Sequence, residues 1–457
     1  MLRFVTLFRM RTLGMACGIM LLAQASAPAQ QSNPLDALVT EALRNNLGLR
    51  NERLAADRAA TEVGEARGLF LPNASVESRY TRQNGTLNLG DVVNPAFAAL
   101  NEIRGNHQLP TNLDLTLPLA HDSRFRLSQP LFNESIRRNY GLSQRRLDSH
   151  QFRARAAARQ LAGDVQIAAI SVAEARSAVR ILEASLQLVK EGERVATRLV
   201  DAGQATPDAM YRARAERSDV EQRLVEARER ADAAGWALNQ LLARPLDAPP
   251  PAVPDESLHI ELTISEDEAV AHALTRREEL FQLDAEIGAA EEAVGLATAS
   301  MLPSVAFAVD YGVQGQQLRF GQGEYWMTSV VFSWSVFNGG RDLARRQGAT
   351  VDAQRARVAR RDVEDRIRLR VRQSYSAAKV ARAALVPADD RLAAARRTFD
   401  LMRRRYEEGD ASQIAFLDAR TQLTNAELNR SLTAYRYAAR YFELQRAAAL
   451  LALPGGN

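Results

Sequence analysis

Apolar residues recur at three- and four-residue steps through most of this chain and give way to two-residue alternation at only a few short places. Spans 35–69 and 266–301 are alanine-rich with the helical step, and each runs up to a Leu-Pro pair, Leu71-Pro72 and Leu302-Pro303. Proline disfavours helical backbone in the residue before it, so each pattern predicts one helix stopped there. Spans 136–200 and 341–408 contain almost no helix breaker, Pro387 being the one interior proline. A helix of about 65 residues extends roughly 100 Å at ~1.5 Å per residue. No ordinary globular core needs that length, whereas a coiled coil or a helical tube does.

Strands are predicted between the shorter and the longer helices. In 325–337, Trp326, Thr328, Val330, Phe332, Trp334 and Val336 share one face, and Met327, Ser329, Val331, Ser333 and Ser335 the other. In 303–314, Val305, Phe307, Val309 and Tyr311 oppose Ala306, Ala308 and Asp310. Weaker equivalents occupy 73–82 and 123–132. The lengths suit tilted strands crossing a bilayer, which need about 9 to 11 residues. Four strands cannot close a barrel, and an open edge in hydrocarbon costs several kcal/mol for each unpaired backbone group. Chains must therefore combine; three would supply twelve strands, an even number as bacterial barrels have.

The elements recur. At an offset of about 231, Val39, Leu43, Leu49, Val63, Gly64, Leu71 and Pro72 match Val270, Leu274, Leu280, Val294, Gly295, Leu302 and Pro303. Beyond the prolines the offset falls to about 205, pairing Phe132-Asn133 with Phe337-Asn338, and Arg198, Gly203 and Arg214 with Arg404, Gly409 and Arg420. The first copy therefore carries about 26 extra residues within 84–121, whose Gly, Asn and Pro content predicts a long loop. The chain divides into a first repeat at 30–244, a proline-rich connector at 245–260 and a second repeat at 261–457, the two forming one intertwined unit. The fold class expected is mainly α with a membrane β-barrel part: a long antiparallel coiled-coil barrel plus four strands per chain, closed as a trimer.

The N-terminus changes where this architecture is placed. Arg3, Arg9 and Arg11 precede an apolar run and Ala27-Pro28-Ala29, which reads as a signal peptide over 1–29. Cys17, the only cysteine, lies inside the apolar run rather than at its end, so neither a lipid anchor nor a disulfide framework is expected. Of the 59 basic and 55 acidic residues, 56 and 55 lie beyond that segment. A near-neutral chain makes no electrostatic case for nucleic acid.

With its two copies, its Leu-Pro strand starts and the strand ends at Gln-Pro-Leu-Phe-Asn133 and Ser-Val-Phe-Asn338, the sequence resembles the TolC family of outer-membrane efflux proteins along essentially its whole length after the signal. The resemblance implies a homotrimer in the outer membrane of a Gram-negative bacterium, its barrel in outer-membrane lipid and its helices in the periplasm, joined to a periplasmic adaptor and an inner-membrane pump. It implies a channel, an exit duct for efflux or type I secretion. Turns at Arg198, Gly203 and Thr206 and at Arg404, Gly409 and Ser412 would be adaptor-docking tips. Glycine closes one helix in the left-handed conformation there, and the hydroxyls of Thr206 and Ser412 are expected to cap the next. Asp208, Tyr406 and Asp418 would border the periplasmic aperture, although Ala415 stands where the family's best-known members have a further aspartate. Phe307, Tyr311, Trp326, Phe332 and Trp334 would be the membrane-strand aromatics.

No chemistry is legible. His107, His121, His150, His259 and His272 are scattered without metal-ligand spacing, and neither a phosphate-binding loop nor a Gly-x-Ser-x-Gly elbow occurs. No catalytic residue, metal or cofactor is expected. The second reading, a soluble periplasmic coiled-coil scaffold or adaptor, would share the signal and the helices but would not need bilayer-length strands in both copies.

Overall fold

A computed structural model describes residues 34–451 apart from 83–86, 115, 118–119, 254–259, 316–320 and 322. The signal-peptide expectation and part of the connector lie outside the described residues.

The first half runs α1 (Pro34–Asn45), α2 (Leu47–Gly68), β1 (Asn73–Tyr80), β2 (Leu87–Asn88), α3 (Gly90–Arg104), β3 (Thr116–Leu117), β4 (His121–Phe132), α4 (Glu134–Asp201) and α5 (Pro207–Leu242). The second runs α6 (Glu266–Arg276), α7 (Glu278–Ala299), β5 (Ser304–Gly315), β6 (Glu324–Ser333), α8 (Arg341–Ala383), α9 (Leu385–Glu407) and α10 (Gln413–Ala447).

Four corrections to the sequence reading follow. Span 35–69 is two helices, parted at Asn46, and 266–301 is two, parted at Arg277. Both residues are extended, at ψ 125° and 126°. The offset of 231 maps one onto the other, so the break belongs to the repeat. The side chain of Asn46 caps α2 through Leu49 N, and its amide donates to Leu241 O at 3.0 Å. Arg277 Nη1 donates to Ala447 O at 3.3 Å. The start of α2 is thereby joined to the end of α5, and the start of α7 to the end of α10, making long rods from shorter helices.

The 341–408 helix also breaks, at Ala384. Pro387 has no N–H to give Ala383 O, and its ring crowds that same carbonyl, so α8 ends there. In the 84–121 insertion the expected long loop contains a 15-residue helix, α3. Asn94 and Asn101, seven apart on one face, each bracket a backbone amide: Asn94 bonds Leu113 N and O at 2.7 and 2.9 Å, and Asn101 bonds Leu109 N and O at 3.0 and 2.8 Å. Asparagine content favours a loop here, yet these amides stitch the helix to the segment that follows. Finally, β6 stops at Ser333 rather than 337; Trp334 lies beyond it, its indole N–H donating to Met301 O at 3.0 Å.

Helix α4, 68 residues long, is the spine. Towards the strands the neighbouring order is α2, α4, α7, α8; towards the far end it is α5, α4, α10, α9. Between these levels α1 packs on α4 and α5, and α6 on α8. The largest core sits there, where Leu35, Val39, Val165, Ile170, Leu238 and Leu242 are sealed from solvent. Elsewhere the helices touch along narrow apolar seams, as where Leu182, Leu186 and Val189 meet Val220 and Leu224.

Candidate functional sites at the two ends

The four long strands form one antiparallel sheet, in the order β1-β4-β5-β6. Hairpins β1–β4 and β5–β6 come from different halves and meet at β4–β5, which leaves β1 and β6 as open edges. Registers Val76↔Phe125, Phe125↔Tyr311 and Tyr311↔Trp326 set one residue from each strand in a row on one face. All four are exposed, Val76 by 78% and Trp326 by 76%. Neighbouring rows on that face hold Phe307 opposite Val330 and Val305 opposite Phe332.

The opposite face is ionic. Arg126 grips Asp310 with two bonds of 2.6 and 3.0 Å, and Asp310 is 1% exposed. Arg124 donates to Glu77 at 2.5 and 2.9 Å, and the Tyr325 hydroxyl donates to Asp122 at 3.2 Å. A Cβ on Gly312 would fall 2.9 Å from the Tyr325 ring, so the facing strand lays that ring where only glycine leaves room. Charges satisfied on one face and bare apolar side chains on the other suit a sheet with water on one side and hydrocarbon on the other.

At the far end, α4 reaches α5 and α9 reaches α10 by the same turn. Gly203 and Gly409 have φ of 72° and 84°. In the first turn Gly203 N donates to Val200 O and Gln204 N to Leu199 O, at 2.9 and 2.8 Å; in the second Gly409 N donates to Tyr406 O and Asp410 N to Arg405 O, at 3.2 and 2.7 Å. Both are Schellman closures, in which left-handed glycine lets the last carbonyls be satisfied. Ser412 caps α10 by accepting from Ala415 N at 3.3 Å. Thr206 departs from expectation: its hydroxyl donates to Asp208 instead of capping α5, and Pro207 at the first helical position removes one amide that would need a cap.

Arg198, Gly203, Thr206, Arg404, Gly409 and Ser412 are all exposed. Of the expected aperture residues, Asp208 pairs with Arg212 at 3.4 Å, Asp418 accepts from Gln422 at 2.8 Å, and Tyr406 stacks on Phe416 at 4.9 Å. Among the described residues no hydrogen bond or ion pair joins these three to one another. The sequence reading missed what ties the two tips together: Gln413 donates to Ala209 O at 3.1 Å, and Glu216 of α5 meets both Arg420, at 3.3 Å, and Thr421, at 2.9 Å.

Among the described residues no cluster of His, Cys, Asp and Glu could hold a metal ion, and no helix is long and apolar enough to cross a membrane. Residues 269–450 match the family model described as outer membrane efflux protein. The second half of the chain is thus similar to that family. No curated protein matches its sequence. Among solved structures the chain is similar to CmeC, an outer membrane channel of Campylobacter jejuni, at 18% identity over 91% of this chain and 85% of that one, with a TM-score of 0.75. The outer membrane protein VceC of Vibrio cholerae is 17% identical over 91% and 95%, with a TM-score of 0.73. CusC, a protein that forms a transmembrane channel, is 17% identical over 91% of each chain, with a TM-score of 0.75. At these identities the likeness establishes a shared fold over nearly the whole chain, including the residues before 269 that the family model does not reach.

Proposed function

We propose that this chain is an outer membrane efflux protein, the exit duct of a tripartite efflux system in a Gram-negative bacterium, a passive conduit and not an enzyme, with its strands in the outer membrane and its helices in the periplasm. The observation that carries the reading is a four-stranded sheet with one bare apolar face and two open edges. Hydrocarbon tolerates such a face but not such edges. Three copies would join β6 of one to β1 of the next and close twelve strands. The repeats at 30–244 and 261–457, with the connector at 245–260, would then form one unit spanning barrel and tube. Service in type I secretion is the alternative use of the same duct.

The tips at Arg198, Gly203 and Thr206 and at Arg404, Gly409 and Ser412 are the proposed docking points for a periplasmic adaptor, which couples the duct to an inner-membrane pump. Their exposure and their shared turn geometry support this. Asp208, Tyr406 and Asp418 would border the aperture once three copies surround it; Ala415 weakens any acidic ring there.

Barrel closure is tested with one cysteine on β1, at Ser78, and one scanned along 325–331 of β6. Oxidation in membranes should give covalent trimers at one or two positions. Monomers at every position, or release of the protein by osmotic shock without detergent, would refute the duct in favour of a soluble scaffold.

A further inference from the structure

Four arginines around one hollow are ion-paired to no carboxylate among the described residues. The hollow, about 1210 Å³, lies over residues 147–159 of α4 and is lined also from α1, α2, α6, α7 and 449–451. Arg44, Arg53 and Arg276 line it and are exposed, and among the described residues none of them has a hydrogen-bond or ion-pair partner. Arg155 stands over the Phe152 ring, its guanidinium 5.5 Å from the centroid, and has no ion pair among the described residues. Glu278 is spent on Arg159, held by two bonds of 2.6 and 2.7 Å, which leaves Asp57 as the only other acid in the lining.

Elsewhere the arginines are mostly matched: on α8 alone, Arg355, Arg357, Arg360, Arg366 and Arg368 all have carboxylate partners. Four unmatched guanidinium groups around one concavity repel each other and make a positive well, whose field falls when an anion enters. The lining is not only charged. Phe152 and Phe281 stack at 5.4 Å within it, and Leu43, Leu147 and Leu450 add aliphatic surface. A bare phosphate would use the arginines and ignore the rings. A polypeptide carrying acidic and apolar side chains would use both.

We propose that this hollow docks an extended acidic peptide segment of a partner protein. A second copy of the chain is a poor occupant, because at this level the layer's free edges are α2 and α8, whereas the hollow lies over α4 on the layer's broad face. That the face is open to the periplasm rests on the duct reading, since the extra layer of α1 and α6 must cover the outside of any tube whose inside stays clear.

The test uses the full chain, purified in detergent and first sized by light scattering, with a fluorescein-labelled peptide alternating Glu and Phe as probe. Saturable binding is expected that weakens with added salt and falls at least about tenfold in the Arg44→Glu, Arg276→Glu double variant, since like charges now face the probe. Phe152→Ala should weaken it as well, and a Lys/Phe peptide should not bind. Arg44 and Arg276 hold no partner among the described residues, so an unchanged melting temperature is expected in the double variant. No saturable binding, or binding indifferent to the charge reversal, overturns the proposal. So does inorganic polyphosphate binding that is unaffected by Phe152→Ala together with no peptide binding, which would make the hollow a simple anion site. A monomer by light scattering sinks the duct reading; a trimer that ignores the peptide sinks only this one.

Discussion

Arg420 is 2% exposed, yet Arg214, its counterpart in the first repeat, lies in solvent. Burial pushes the Arg420 guanidinium down from its ordinary range, partly offset by Glu216, its one carboxylate neighbour. Removing a partner from a buried charge costs about 3 kcal/mol, whereas replacing both by apolar groups can be neutral. Glu216→Ala should therefore speed amide exchange along 185–193 and 416–424, and adding Arg420→Met should restore most of the protection. Equal exchange in the single and double variants would show that the pair contributes nothing. Glu134 makes a pH prediction of the opposite kind. Hydrogen bonds from Arg137 first and Arg138 next, against the cost of partial burial, hold its carboxyl down at about 2, at the first residue of α4. A carboxyl depressed in the fold contributes stability that is complete above its unfolded value of about 4.5 and is lost as pH falls from there towards about 2. The amides of the first turn of α4 should thus lose protection through that window, and Glu134→Gln should lose it already at neutral pH and flatten the dependence.

Two turns share one backbone solution, and this is where sequence logic reads most clearly. Gly203 and Gly409 sit at positive φ with nothing within 4 Å of a would-be Cβ, so the demand on glycine there is conformational and not steric. Gly409→Val should cost about 1–2 kcal/mol from the left-handed backbone alone, visible as faster exchange in 405–412 with trimers intact. If the variant also loses crosslinking to the adaptor, the docking role gains support; unimpaired crosslinking counts against it. The helical spans, strand positions, faces and the glycine turns were legible because period and punctuation agree in both halves. What escaped was set by contacts between distant segments. Asn46 and Arg277 interrupt helical patterns that have no local reason to stop, because each reaches a carbonyl about 170 to 195 residues away. The helix at Gly90–Arg104 was hidden by the very asparagines that brace it. Gln413 and Glu216 carried no motif, and only the folded tips bring them beside Ala209 and Arg420. The unmatched arginines of the hollow come from four different helices of an arginine-rich chain, so no local pattern could mark them.

At the scale of the whole molecule, alternation along β6 becomes a statement about which solvent each face meets. Val330 and Ser329 are adjacent, equally far along the strand, and differ only in face: Val330 stands opposite Phe307 in the apolar rows, Ser329 opposite Ala308 on the side of Asp310 and Arg126. In a water-soluble sheet an arginine at either place would be hydrated at little cost, and an arginine replacing the exposed valine would, if anything, raise solubility. In a barrel the two substitutions separate. An arginine on the lipid face near mid-membrane costs about 2–4 kcal/mol per chain, and a closed trimer meets that cost three times, whereas an arginine lining a wide aqueous lumen is solvated. Val330→Arg should therefore reduce the trimer recovered from outer membranes sharply, and Ser329→Arg should leave it near the wild-type level while changing single-channel conductance in planar bilayers. The reverse pattern would turn the sheet inside out. Equal recovery of both, with no change in conductance, would mean that β6 never meets lipid.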